Sequence, residues 1–302
     1  MQDYHSPVML AEVLSLFGSL IGEDRIVIDC TFGRGGHTLG LLKNGYKVIA
    51  IDRDEESIDF GMKQFASYIQ ENKLYLAHSK FSSLPDILHS LGIDKIYGLI
   101  LDLGLSSPQI DCSNRGFSYI RDGPLSMCMG LNTISAQDLV NKFSQDDIAN
   151  IIYHYGEERC SRKIAKMIVL ARKIAPIVST FQLRDIIKTV VGERFWIKTC
   201  ARVFQAIRIY VNDELNELNV FLEKSSSILQ SEGILCVISF HSLEDRIIKR
   251  FFQHGFLDTM PNNRENKFDI NFNKHHRVFP SASEISTNSR ARSAILRWAV
   301  HV

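Results

Sequence analysis

The sequence contains no two cysteines separated by two residues, which is the spacing typical of structural zinc sites and redox motifs. Its six cysteines are far apart along the chain, at Cys30, Cys112, Cys128, Cys160, Cys200 and Cys236. Neither a zinc cage nor a disulfide framework is indicated, so we expect buried thiols and no bound metal.

Long hydrophobic runs are also missing. No apolar stretch approaches the ~20 residues that span a bilayer, and the opening Met-Gln-Asp-Tyr-His lacks a basic stretch followed by an apolar one. These absences argue against a membrane partner and favour a cytoplasmic location. With 302 residues, 45% hydrophobic and 23% charged, the chain has the composition of a globular protein with one large domain or two modest ones.

The net charge of +1 hides an uneven distribution of charge along the chain. Residues 113–212 hold fifteen Lys and Arg against eight Asp and Glu, a net of +7, whereas the other 202 residues hold 20 against 26, a net of −6. A basic segment in an acidic chain is typical of proteins that bind a polyanion, because each neutralised phosphate releases counterions. The alternative is a solvated helical surface whose excess of Lys and Arg has no functional meaning.

The first 111 residues alternate between helical and strand patterns. Residues 6–18 predict a helix with a cap at Ser6, Pro7 at its first position and a terminal glycine. Apolar strands are predicted at 25–30, 47–52, 74–79 and 96–103, with helices near 37–44, 55–70 and 83–91. Near-continuous apolar strands separated by helices indicate a parallel sheet covered on both faces.

The strand pattern stops near Asp111, and the sequence is helical from about residue 135 to residue 229. Later segments predict strands at 234–240, 277–279 and 293–300, a helix at 243–253 and a polar loop at 260–266. We therefore predict an α/β fold, a seven-stranded doubly wound, Rossmann-like sheet that an all-helical insert interrupts after its fourth strand. The sheet domain comprises residues 1–111 and 213–302, and the basic insert comprises residues 112–212.

A glycine-rich turn follows the first strand, with Gly33, Gly35, Gly36 and His37. Glycines let a ligand approach the backbone and tolerate positive φ, although a tight structural turn is the alternative explanation. The second strand ends at Asp52, where a carboxylate can accept both hydroxyl protons of a ribose. Together the turn and the acid predict a site for a cofactor that contains a nucleoside.

Thr38 stands where the dinucleotide fingerprint G-x-G-x-x-G requires its third glycine. A dinucleotide also needs a helix N-terminus that faces its pyrophosphate. S-adenosylmethionine has no phosphate, and its amino-acid end carries an ammonium group as well as a carboxylate, so an acid at a strand end followed by G-x-G-G suits it better. We favour a methyltransferase, with a nicotinamide-dependent oxidoreductase as the alternative.

Two further strand ends carry candidate ligand-binding side chains. Phe81 follows the third strand and is expected either to lie against an adenine ring or to pack in the core. Asp102 ends the fourth strand, and Gln109 follows it after two serines. Because ligands of open parallel sheets bind outside the carboxyl ends of the strands, we expect these side chains and residues 33–37 to meet in one crevice.

Eight segments, in order from His5 to Trp298, resemble those of the bacterial RsmH (MraW) family. They include Asp-Cys-Thr-Phe-Gly-Arg-Gly-Gly-His-Thr at 29–38, Leu-Asp-Leu-Gly-Leu-Ser-Ser-Pro-Gln at 101–109 and Phe-His-Ser-Leu-Glu-Asp-Arg at 240–246, and the others lie at 5–10, 115–119, 155–159, 203–209 and 288–294. Members of that family use S-adenosyl-L-methionine to methylate N4 of a cytosine in the decoding region of small-subunit (16S) ribosomal RNA.

The resemblance implies that this chain is such an rRNA (cytosine-N4-)-methyltransferase, with 16S rRNA, within the small ribosomal subunit, as its partner. It implies cofactor contacts at Gly35, Gly36, His37, Asp52, Phe81, Asp102 and Gln109. It also implies an inserted helical domain, which matches the basic segment and is the expected RNA-recognition domain. Whether the protein is a monomer or a dimer is left open.

Two segments of the insert depart from the family's usual pattern. Where the family shows D-G-P-L-D-M-R-M-D, this chain has Ser126, Cys128 and Gly130 in place of two acids and an arginine. Where the family shows H-P-A-T-R, residues 198–202 are Lys-Thr-Cys-Ala-Arg. We expect these changes to affect substrate contacts rather than cofactor binding. They leave open a second function, a non-catalytic or weakly active RNA-binding assembly factor that retains the fold.

The expected reaction needs a proton acceptor and an aromatic partner for the base. The amino group of cytosine is a poor nucleophile because its lone pair is delocalised, so its proton must be taken up as the new bond forms. His241, after the fifth strand, is the candidate acceptor, and a histidine that caps the following helix is the alternative. Candidates for stacking on the base are Phe240, His241, Phe117 and Tyr119.

Overall fold

The computed structural model describes residues 7–18, 25–257, 266–267, 271–273 and 275–302. The chain divides into two compact units, Met1–Gly104 with Leu215–Val302, and Leu105–Glu214. The sequence placed the corresponding boundaries at 111/112 and 212/213. The first unit, called here the sheet unit, contains the β-sheet, and the second, the helical unit, contains helices α6–α11.

The strands are β1 (Ile26–Asp29), β2 (Lys47–Asp52), β3 (Leu74–His78), β4 (Ile96–Asp102), β5 (Leu229–Ser239), β6 (Phe256–Leu257), β7 (Asn266–Lys267), β8 (His276–Val278) and β9 (Ile295–Val300). The helices are α1 (Leu10–Phe17), α2 (Gly36–Lys43), α3 (Glu55–Gln64), α4 (Ala66–Gln70), α5 (Leu84–Ser90), α6 (Ser107–Asp111), α7 (Ala136–Lys142), α8 (Gln145–Gly156), α9 (Ser161–Arg172), α10 (Thr180–Val191), α11 (Trp196–Asn212), α12 (Glu214–Ile228), α13 (Ser242–His254) and α14 (Ala282–Thr287). Short 3₁₀ turns occupy Phe81–Ser83, Ser113–Arg115 and Ser289–Ser293.

Seven strands form one sheet in the order β3-β2-β1-β4-β5-β9-β8. The five strands from β3 to β5 are parallel, β9 pairs antiparallel with β5, and β8 pairs antiparallel with β9, so only β9 runs in the opposite direction. The predicted seven-stranded Rossmann-like architecture is confirmed, with the difference that the sheet is mixed. The chain order reverses between β1 and β4, and this is where open α/β sheets bind ligands.

Alternate residues of the strands enter two separate cores on opposite faces of the sheet. Ile28 and Leu99 pack with α5, α12 and α13 on one face. Their neighbours Val27 and Ile100 pack with α1 and α2 on the other face. Because helices cover both faces, the strands are apolar along most of their length, which is the pattern that the sequence shows.

The first helix begins later than predicted. α1 starts at Leu10 rather than at Pro7, because Met9 is fully buried and takes a left-handed conformation with φ 54°. The backbone N–H of Met9 donates to Glu284 Oε1 at 2.6 Å, a contact between residues far apart in sequence. The predicted cap, Ser6, lies outside the described residues.

The predicted helix at 55–70 is interrupted at Phe65, which separates α3 from α4. Phe65 is 2% exposed and packs edge-to-face on Phe32, with ring centroids 5.5 Å apart. Only Asn266 of the predicted 260–266 loop is described, and it pairs with Leu257 in a short antiparallel ladder.

The helical unit has its own hydrophobic core, which includes Ile152, Ile164 and Ile207. In the segment that departs from the family pattern, Leu125, Met127 and Met129 are buried and alternate with the partly exposed Ser126, Cys128 and Gly130. The three substitutions therefore fall at partly exposed positions, of which Cys128 packs against the core of the helical unit.

The cysteines are all free, and three of them, Cys30, Cys200 and Cys236, are buried as expected. Cys112 is exposed and the remaining two are partly buried, so the expectation of buried thiols is wrong for these. Among the described residues, no helix combines the length and the apolar character that crossing a membrane requires.

Candidate active site

The end of β1 is held by hydrogen bonds within the sheet unit. Asp29, 1% exposed, accepts the Thr31 N–H through Oδ1 at 3.2 Å and the Thr38 hydroxyl through Oδ2 at 2.7 Å. Thr31 Oγ1 in turn accepts the Asp102 N–H at 2.7 Å and so ties the end of β4 to the turn after β1. The sequence did not identify Thr31 as a site residue, although a threonine two residues beyond a strand-end acid is a signal for such a turn.

Asp52 is fixed at the end of β2. Its Oδ2 accepts the Gly33 N–H at 2.7 Å, and its Oδ1 accepts the Asp54 N–H at 2.8 Å. Burial raises the pKa of Asp52 to about 6, in spite of these two hydrogen bonds, which lower it. Each carboxylate oxygen has two lone pairs, so a rigidly held Asp52 has acceptor capacity for both hydroxyls of a ribose.

The glycines of the turn are required by packing within the sheet unit. A Cβ on Gly35, whose φ is +74°, would lie 2.5 Å from Phe65 Cζ and 2.7 Å from Phe32 Cε2. A Cβ on Gly36 would lie 2.7 Å from Pro7 Cγ. Packing therefore explains the glycines at positions 35 and 36. The Gly33 N–H contacts a site residue directly, because it donates to Asp52.

His37 anchors the N-terminal segment against the same turn. It is 4% exposed, and its Nε2 lies 3.1 Å from the backbone oxygen of Val8. Burial lowers the pKa of His37, although Asp29 opposes the shift, so the neutral ring with a proton on Nε2 fits this contact. Nδ1 then carries a lone pair and lies 3.8 Å from Asp102 Oδ2.

Asp102 is partly buried and has one carboxylate oxygen that is buried without a partner in the described part of the chain. Among the described residues, no group hydrogen-bonds its buried Oδ1 atom. Burial raises the pKa of Asp102 well above its usual range, and the negative charges of Asp29 and Glu244 raise it further. A buried acceptor without a donor is costly, so the site is complementary to a ligand that brings a cationic N–H donor.

Phe81 lies in the 3₁₀ turn after β3 and is partly buried. Its ring packs edge-to-face on Phe221 of α12, with centroids 5.6 Å apart, and contacts the core of that face. Gln109 belongs to the helical unit, is 5% exposed, and completes a capping box in which its Oε1 accepts the Ser106 N–H at 3.0 Å.

His241 and Glu244 close the first turn of α13. His241 is the N-cap residue, and its Nδ1 accepts the Glu244 N–H at 3.4 Å. Glu244, 2% exposed, accepts the Phe240 N–H at 2.8 Å, and its Oε1 lies 3.1 Å from His241 Nε2. The capping role that was the alternative prediction for His241 is therefore present.

The predicted stacking residues are placed differently. The Phe240 ring lies against Gly104, where an added Cβ would be 3.3 Å from Phe240 Cδ2. Phe117 is 8% exposed and belongs to the core of the helical unit, so its assignment as a stacking residue is wrong. Tyr119 packs edge-to-face on Phe204 with centroids 5.5 Å apart.

Comparison of the sequence with known proteins identifies its family. The sequence model of the MraW methylase family matches residues 2–302. Relatives named "Ribosomal RNA small subunit methyltransferase H" are 43% identical in Caldicellulosiruptor saccharolyticus, over 98% of both chains, and 42% identical in Rickettsia bellii, over 99% of both. A protein of the same name from a Wolbachia species is 44% identical over 97% of both chains.

Proposed function

The chain belongs to the MraW methylase family, and we propose that it transfers a methyl group from S-adenosylmethionine to N4 of a cytosine in the decoding region of small-subunit (16S) ribosomal RNA. Membership in this family agrees with S-adenosylmethionine as the cofactor and with ribosomal RNA methylation as the activity. The proposal goes further in three respects: the modified base is a cytosine, the methylated atom is its N4, and the base lies in the decoding region.

The observation that carries the proposal is the unsatisfied carboxylate of Asp102 at the end of β4. S-adenosylmethionine supplies an activated methyl group on a positively charged sulfur, and its amino-acid end supplies a cationic N–H donor. Asp102 is the proposed partner of that donor, and Asp52, held by Gly33 and Asp54, is the proposed partner of the ribose hydroxyls. Three neighbouring acids, the buried Asp29 and the partly buried Asp52 and Asp102, make the site favourable for a cation.

The other predicted cofactor contacts stay proposals. Phe81 is proposed to lie against the adenine with the part of its ring that Phe221 does not cover. Gly33, Gly35, Gly36 and His37 are proposed to shape the turn rather than to supply catalytic groups, because their contacts are with Asp52, Phe65, Pro7 and Val8. Gln109 is proposed to contact the cofactor as well.

Proton removal from the amino group is assigned to His241. Its Nδ1 lone pair is engaged by the Glu244 N–H at 3.4 Å, a distance near the upper limit for a hydrogen bond. The role therefore requires this capping contact to open when the substrate binds. The RNA is proposed to bind the basic helical unit, with the target base unstacked from its neighbours.

Methyl incorporation tests the proposed reaction. Incubation of the protein and labelled S-adenosylmethionine with small subunits from cells that lack this protein should label 16S rRNA. Mass spectrometry of the nuclease digest should then place one methyl group on a cytosine N4. RNA binding without incorporation would instead favour a non-catalytic assembly factor, and labelling of another nucleotide would overturn the cytosine assignment.

Asp52→Ala tests the ribose contact separately. The variant should bind S-adenosylmethionine at least about tenfold more weakly, because two hydroxyl hydrogen bonds to a charged acceptor are lost. Calorimetric titration of wild type and variant provides the comparison, with circular dichroism as the control for folding. An unchanged affinity in a folded variant would remove the assignment.

A further inference from the structure

Three helix ends converge on one surface of the helical unit. At the end of α8, a Cβ on Gly156 would lie 2.6 Å from the backbone oxygen of Arg202 in α11, so the two helices approach closely there. Glu158, 3% exposed, accepts the Cys160 N–H at 2.8 Å at the start of α9 and the Arg202 Nε–H at 2.8 Å. The end of α8, the start of α9 and the first half of α11 are thereby held together.

Exposed aromatic rings and cations lie within or next to α8, α9 and the start of α11. Tyr153 is 55% exposed and Phe195 is 53% exposed, unusually high values for such rings. We call the whole set the basic-aromatic surface, and its exposed members are Tyr153, Arg159, Arg162, Arg194, Phe195 and Lys198.

The cations of this surface lie in a segment where basic residues outnumber acidic ones. Residues 159–202 contain eleven Lys and Arg and two Asp and Glu, a net charge of +9. Those two acids, Asp185 and Glu193, form ion pairs with Arg184 and Lys188. Within the described part of the chain, no carboxylate forms an ion pair with any of the four cations of the surface. The guanidinium of Arg194 lies 5.3 Å from the centroid of the Phe195 ring.

One departure from the family pattern gains an explanation here. Arg202 stands at the arginine of the family's H-P-A-T-R segment, and it retains the structural contact with Glu158. The first position of the same segment is Lys198, which adds a cation to the basic-aromatic surface. The substitution therefore alters the surface and leaves its support in place.

We propose that the basic-aromatic surface binds a single-stranded stretch of ribosomal RNA, with a base stacked on Phe195 and phosphates on Arg159, Arg162, Arg194 and Lys198. Exposed aromatic rings beside unpaired cations are the elements that hold single strands, since every base offers a flat face and every nucleotide a charge. The inference rests on the proposed function and adds the place where the substrate strand is held.

Two exposed residues of the sheet unit provide a matched control. Phe279 is 55% exposed, and the guanidinium of Arg277 lies 4.9 Å from its ring centroid, so this pair has the same geometry as Phe195 and Arg194 but does not belong to the surface.

Phe195→Ala should weaken binding to small subunits that lack the modification about tenfold. Arg194→Gln should reduce the dependence of log affinity on log salt by about one unit. Phe279→Ala and Arg277→Gln should leave both quantities unchanged.

Further readouts identify the partner and separate the two proposals. Phe195→Tyr should restore binding, and S-adenosylmethionine affinity should be unchanged in every variant. A photo-crosslinking amino acid in place of Phe195 should attach to ribosomal RNA. The inference would be overturned if the crosslink formed to a ribosomal protein or to a second copy of the chain. It would also be overturned if Phe195→Ala bound the subunit as tightly as the wild type, or if Phe279→Ala lost as much affinity as Phe195→Ala. Failure of the wild-type protein to bind the subunit would instead overturn the proposed function.

Discussion

Asp102 shows how one residue links burial, charge and ligand choice. Its carboxylate is buried beside other acids, so in the ligand-free protein the protonated form is favoured and its pKa is raised. A cationic ligand reverses this balance, because it interacts favourably only with the ionised form. Binding of S-adenosylmethionine and ionisation of Asp102 are therefore coupled.

The coupling predicts a pH dependence of cofactor affinity. Because the folded, ligand-free pKa of Asp102 is raised, affinity should increase as pH rises through that pKa and decrease as pH falls below it. Asp102→Asn should bind more weakly and lose this part of the pH dependence. Calorimetric titrations from about pH 6 to about pH 8 measure both slopes.

The ligand's own amino group also titrates, so the two slopes are compared below the pKa of that group, where the free ligand is a cation in both experiments and the difference between the slopes reports Asp102. Parallel slopes for the two proteins would contradict the assignment of Asp102 to the ammonium group.

At the scale of elements, α12 braces the turn that carries Phe81. Glu217 Oε1 accepts from Lys80 Nζ at 2.9 Å, and Phe221 packs on Phe81 itself. Lys224 Nζ donates to the Ser82 carbonyl at 3.2 Å. Positions 217, 221 and 224 share one face of a helix, so a single stripe of α12 holds Lys80, Phe81 and Ser82.

Removing a contact between α12 and this turn should weaken cofactor binding and leave the rate of the reaction nearly unchanged. Glu217→Ala removes the ion pair to Lys80, so Phe81 loses part of its support and the KM for S-adenosylmethionine should rise about fivefold, equivalent to about 1 kcal/mol. kcat should change little. The matched control is Glu71→Ala, which removes an exposed ion pair to Lys73 and should alter neither constant. A fall in kcat alone would assign Glu217 a different role.

The sequence predicted most elements because their signals are local. The parallel strands are apolar runs bounded by turns, and their ends correctly placed Asp52 beside Gly33. The start of α1 was wrong because the contact of Met9 with Glu284 lies 275 residues away. The reversed direction of β9 was not predicted, since strand direction leaves no mark in the hydrophobic pattern.

The surroundings of side chains at the site were harder to predict, because they depend on contacts between residues far apart in the sequence. His37 was expected at the cofactor, but its contact with the Val8 oxygen depends on the packing of the N-terminal segment. Phe117 was expected to stack on a base, yet its ring is buried in the core of the helical unit. Polar residues at strand ends were predictable from topology, whereas the partners of each atom depend on tertiary packing.

For the whole molecule, the decisive feature is that acidic and basic groups differ in their exposure to solvent. Of the acids of the candidate active site, Asp29 is buried and Asp52 and Asp102 are partly buried, whereas the cations of the basic-aromatic surface are exposed. Salt screens exposed charges strongly and buried ones weakly. The two proposed binding events should therefore respond differently to ionic strength, although the net charge of the chain is only +1.

Affinity for the small subunit should fall about 50-fold between about 50 and about 200 mM salt, if the four cations of the basic-aromatic surface each contact a phosphate of a single strand. Affinity for S-adenosylmethionine should change less than about twofold over the same range, because its partners Asp52 and Asp102 lie away from mobile ions. Filter binding for the subunit and calorimetry for the cofactor measure the two dependences on one preparation. Equal salt dependence of both affinities would show that the cofactor partners are accessible to ions, and a salt-independent subunit affinity would show that phosphate contacts do not drive association.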